Sequence, residues 1–68
     1  MSDWQKVFED STLYRVEIVK AILETEGYDA VIVSKKDTNY QFGQYELHVQ
    51  AESVIPSIKL IKEKIKFE

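Results

Sequence analysis

The chain has 68 residues, of which 44% are hydrophobic and 31% charged. That length leaves room for one small core and excludes a second domain, and the apolar share excludes a disordered tail. The sequence holds no cysteine and no run of about 18 apolar residues, which excludes disulfides, thiolate zinc sites, cysteine nucleophiles and a membrane-spanning helix.

Nine Lys and Arg stand against twelve Asp and Glu, a formal charge of −3. The sign argues against a sequence-independent nucleic-acid binder, which needs a basic face to displace counterions from phosphates. The charge is uneven: residues 1–34 carry three cations and seven anions, residues 35–68 six Lys and five acids. Around Met1-Ser2-Asp3-Trp4 no basic segment leads into an apolar stretch. No signal peptide is visible, and the expected location is cytoplasmic.

Trp4 to Glu9 reads as a first strand. Strict alternation puts Trp4, Lys6 and Phe8 on one side and Gln5, Val7 and Glu9 on the other, with neither side marked as the core side. Asp10, Ser11 and Thr12 each suit a helix N-cap. A helix is predicted from about Thr12 to Glu26, with Tyr14, Val16, Ile18, Val19, Ala21, Ile22 and Leu23 on one broad apolar arc. Gly27 follows, where a left-handed C-terminal cap is favoured.

Tyr28 to Lys35 reads as a second strand, nearly continuous in β-branched residues at Val31-Ile32-Val33, a pattern that suggests burial on both sides or an inner position. Lys36 to Gly43 is a polar connection. Gln44 to Gln50 alternates, with Tyr45, Leu47 and Val49 toward the core and Glu46, His48 and Gln50 toward solvent. Ser53 suits the cap of a second helix, with Pro56 in its first turn. On that helix Val54, Ile58, Ile61 and Ile65 form an apolar stripe and Lys59, Lys62 and Lys66 a basic one, while Leu60 and Phe67 project on a third face.

The predicted order is β-α-β-β-α, an α+β chain. A strand–helix–strand crossover favours parallel strands, and the next strand then inserts antiparallel between them. The expectation is a ferredoxin-like core with a three-stranded sheet of order 1-3-2, both helices on one face, and at most a stub of a further strand at Ile65-Lys66-Phe67-Glu68.

The order and spacing of these pieces carry a resemblance. Trp4 and Val7, then Leu23-Glu24 and Gly27, Ala30 to Val33, Phe42-Gly43, Leu47 and Val49, and the helix from Ser53 together resemble a family of small, mostly bacterial, signal-transducing domains of unassigned function. Tyr28 stands where that family more often has an aliphatic residue. The resemblance covers nearly the whole chain. It implies a fold like that of the nitrogen-regulatory PII proteins and a regulatory role. Nucleotide binding does not carry over, because the connection from Lys36 to Gly43 is short and only two glycines are present.

No catalytic, cofactor-binding or metal-binding set is expected. His48 is the only histidine, and a general base needs a nucleophile or an orienting group at a recognisable spacing. A metal site on it would need Glu46, Glu52 or a second chain. The run Asp37-Thr38-Asn39-Tyr40-Gln41 starts like a calcium loop, but Phe42 stands where glycine is required and His48 where glutamate is.

Contact surfaces are the stronger expectation. Trp4, Lys6 and Phe8 lie on a first strand that would form a sheet edge with unpaired backbone groups. Tyr40 and Phe42 are bulky aromatics in a polar loop, and Leu60 and Phe67 add apolar area on the second helix. These residues suggest a homodimer or a protein partner held by strand-edge and helix contacts. The function expected is a non-enzymatic binding or regulatory module. The runner-up is a small-molecule or nucleotide sensor, and an enzyme stands third; an RNA-binding sheet using Trp4, Phe8, Tyr40, Phe42 and Tyr45 is weighed and disfavoured by Glu46 on the open face.

Overall fold

The computed structural model describes residues 3–36 and 43–65. The chain runs through β1 (Trp4–Asp10), α1 (Leu13–Thr25), β2 (Ala30–Lys36), β3 (Gly43–Gln50), a 3₁₀ turn at Ala51–Ser53, and α2 (Val54–Lys64). The sheet order is β1-β3-β2, with both outer strands antiparallel to β3. This is the expected α+β arrangement: β1 and β2 run parallel to one another, separated by the strand that follows them.

The core is a single cluster. Val16, Val19 and Leu23 of α1 meet Ala30 of β2 and Leu47 and Val49 of β3, and Val54, Leu60 and Ile61 of α2 pack against them. Both helices therefore serve one side of the sheet and leave the other uncovered. The molecule is about 15 Å through its thinnest axis, the depth of one sheet and one helix layer.

Several local features refine or depart from the sequence expectation. The first is in β1. Lys6 pairs with His48 and Phe8 with Leu47, so Val7 is an extra residue, a β-bulge. Val7 and Phe8 both pack against the core, whereas alternation would have set them on opposite sides. Phe8 leaves the side shared by Trp4 and Lys6, and Glu9 joins it.

The second is the end of α1. Gly27 takes φ 93°, its N–H donates to the Glu24 carbonyl, and the Tyr28 N–H donates to the Leu23 carbonyl. This is a Schellman cap. Tyr28, packed against the core, supplies the apolar contact that accompanies it, so β2 starts at Ala30 rather than at Tyr28.

Third, α1 buries a narrower stripe than predicted. Val16, Val19 and Leu23 are fully buried, whereas Tyr14 is 69% exposed and Ala21 is also exposed. A helix lying on a flat sheet needs only a seam at i, i+3 and i+7.

Fourth, α2 is turned toward Ser57 and Leu60. Ser57 is fully buried, Ile55 is 81% exposed, and Leu60 packs on the core instead of projecting on a third face. Ser57, a small residue, is fully buried, whereas Ile58 of the predicted stripe is half-buried and not among the residues packed against the core.

The capping expectation also shifts. Thr12 and Ser53 occupy the N-cap positions without a side-chain cap bond. Asp10 Oδ1 accepts the Thr12 N–H at 2.8 Å instead.

Candidate functional site: the uncovered sheet face and its edges

On the uncovered face the three strands bring together residues far apart in sequence. Trp4 lies opposite Gln50, Lys6 opposite His48, and Glu9 opposite Glu46 on the β1 side. Val31 lies opposite His48, Val33 opposite Glu46, and Lys35 opposite Gln44 on the β2 side. The bulge at Val7 is what places Lys6 and Glu9 on the same face.

Glu46 is the hub of this face. Its Oε1 accepts a hydrogen bond from His48 Nε2 at 3.0 Å. Lys6 Nζ lies 3.8 Å from Oε2 and Lys35 Nζ 3.8 Å from Oε1. Glu9 and Glu46 face each other directly, a pairing that like charge disfavours. Lys6 reaches both, at 3.3 Å from Glu9 Oε1, and Gln44 Nε2 donates to Glu9 Oε2 at 2.8 Å. The hydrogen bond from His48 has the largest effect on Glu46. Burial opposes it, and attraction from Lys35 and Lys6 adds to it. The carboxyl therefore titrates below its usual value of 4.5.

Glu46 is thus only 8% exposed on a face with no helix over it. Glu9 and Lys6 on β1 and Val33 and Lys35 on β2 flank it on the same face. Alternation marks Glu46 as solvated, but its neighbours from both flanking strands bury it. His48 is used in this ion-pair network, as the partner that fixes Glu46. Among the described residues, no group of three or more His, Cys, Asp or Glu is placed to hold a metal ion, and no helix is long and apolar enough to cross a membrane.

The expected contact residues fall in different places. Trp4, 37% exposed, and Lys6 stand on the uncovered face. Phe8 and Leu60 are half-buried against the core. Tyr40, Phe42 and Phe67 lie outside the described residues. Val31, 39% exposed beside His48, is a surface residue that the sequence reading did not single out. Its membership of a β-branched run suggested burial, and only the one-sided layering exposes it.

A shallow groove of about 170 Å³ opens between the end of α1 and the outer side of α2. Glu26, Tyr28, Pro56, Lys59, Leu60 and Glu63 line it. Comparison with protein-family models, curated proteins and solved structures finds no match for this chain.

Proposed function

We propose that this chain is a non-enzymatic regulatory or binding module of ferredoxin-like, PII-like type that acts through protein–protein contacts. The observation that carries this reading is the one-sided layering. It leaves Trp4 and Val31 exposed on a sheet face with no covering layer, between two outer strands that have no further described strand beside them. Unpaired strand edges recognise other backbones without any reactive side chain. The resemblance to small signal-transducing domains supports the same reading, as does the engagement of His48 in a hydrogen bond to Glu46, with Lys6 beside the same carboxylate.

A thermal-shift panel of nucleotides and common metabolites, run beside sedimentation analysis, tests it. The expected result is a flat panel together with concentration-dependent association. A large saturable shift with one compound would replace this reading by the sensor alternative. The groove lined by Tyr28, Lys59 and Leu60 is the one observation favouring a sensor, and its volume is below the roughly 300–1,000 Å³ typical of small-molecule sites.

A further inference from the structure

We propose that two copies of this chain associate through the outer edge of β2, antiparallel about a two-fold axis at Ile32, making one continuous six-stranded sheet. This deepens the reading of the chain as a protein-contact module by naming the surface and its occupant. The sequence pointed to β1 as the open edge, but the structure favours β2.

The two outer strands differ in how well they could accept a neighbour. β1 is interrupted by the bulge at Val7, and a bulge twists an edge and disrupts pairing along it. β2 pairs with β3 without interruption from Ala30 to Lys36. It holds Val31-Ile32-Val33 and no proline, and its lysines stand only at its C-terminal end, so among the described residues its outer edge is the more regular of the two.

Symmetry then restricts the register. In an antiparallel pair, directly opposite residues point to the same face. A strand pairing with its own copy must therefore place one residue opposite itself. The candidates near the strand centre are Ile32, Val33 and Ser34.

With Ile32 on the axis, Val31 meets Val33 of the second copy on the uncovered face, and Asp29 meets Lys35 of the second copy. On the helix-covered face Ile32 meets its own copy, and Ala30 meets Ser34 of the second copy. With Val33 on the axis, Val31 meets a lysine, and Asp29, which directly precedes β2, has no residue of β2 opposite it. Ser34 on the axis sets Val33 against Lys35. Only the Ile32 register matches apolar with apolar and acid with base, and the two-fold repeats each match.

The free chain leaves these groups in need of partners. Val31 is 39% exposed. Asp29 is exposed, and no ion pair is formed by it among the described residues. Lys35 is 64% exposed and sits 3.8 Å from Glu46, a separation that leaves its ammonium able to serve a second carboxylate.

The test uses the full chain. Because it has no cysteine, a single introduced one can cross-link only to its own copy. Opposite Cα atoms in an antiparallel pair lie about 4.5–5.5 Å apart, within the disulfide range of about 4.4–6.8 Å. Under mild oxidation Ile32→Cys is expected to cross-link faster than Val33→Cys or Ser34→Cys. Sedimentation equilibrium gives a second readout that leaves Ile32 intact. Val31→Lys, Asp29→Lys and Lys35→Glu should each raise the dimer dissociation constant on the order of tenfold. The double variant Asp29→Lys/Lys35→Glu should recover most of that loss relative to either single change.

A chain that stays monomeric up to about 1 mM, weaker than any useful self-association, overturns the proposal. So does cross-linking through Gln5→Cys or Lys6→Cys on β1 with the β2 variants inert, or a dissociation constant blind to the charge swap. The last two results leave the protein-contact reading standing, whereas a strict monomer also removes the concentration-dependent association expected of it. A saturable metabolite shift with intact Ile32 cross-linking would remove that reading and keep the dimer.

Discussion

Gly27, Ser57 and Glu46 each make a separate claim on stability. Gly27 sits at φ 93° with open space where a Cβ would stand. Gly27→Ala is therefore expected to cost about 1 kcal/mol through backbone strain alone, read as a lower urea midpoint with unchanged slope. Ser57 is fully buried and its Oγ has no hydrogen-bond partner among the described residues. Ser57→Ala removes that unsatisfied hydroxyl in a residue that also favours helix, and should stabilise the fold by about 1 kcal/mol. Glu46 holds its proton less tightly in the folded chain than in the unfolded one. In acid the unfolded state then binds more protons, so the contribution is complete above about pH 4.5 and is lost as pH falls through the lowered value. Glu46→Gln should flatten the fall of stability below that pH, as followed by urea unfolding across an acid series.

Among the elements, β1 shows most clearly how a local irregularity serves the whole. Its bulge turns Phe8 inward and Glu9 outward, and it breaks the straight edge. Deleting Val7 would leave the pairs Lys6–His48 and Phe8–Leu47 in an uninterrupted ladder. The expected variant folds, loses about 1 kcal/mol from the half-buried valine, and gains a second straight edge. Size-exclusion chromatography with light scattering should show it assembling beyond the dimer, whereas a variant no larger than the parent would mean that the bulge does not guard that edge. The turn of α2 has a comparable logic. Three of the four apolar residues of the predicted stripe, Val54, Ile61 and Ile65, pack against the core, and the buried Ser57 and Leu60 join them where Ile58 was expected.

For the molecule as a whole, one layer of helices over one sheet gives a small core, and small cores contribute only about 3–5 kcal/mol net. Association adds stability by mass action. The melting temperature should therefore rise with protein concentration in the parent chain. In Val31→Lys the same rise should be displaced to about tenfold higher concentration, as measured by calorimetry over a wide concentration range.

Hydrophobic period, caps and turn residues are local properties, and they determined the β-α-β-β-α order, the antiparallel insertion of β3, the Gly27 cap and the Leu47–Val49 core face. Pairing across the sheet is not local. The extra residue at Val7, the burial of Glu46 beside lysines from both flanking strands, the exposure of Val31 and the choice of Ser57 over Ile58 were decided by tertiary structure. Each depends on what another strand or helix presents at that position, which the spacing of residues along one segment does not encode.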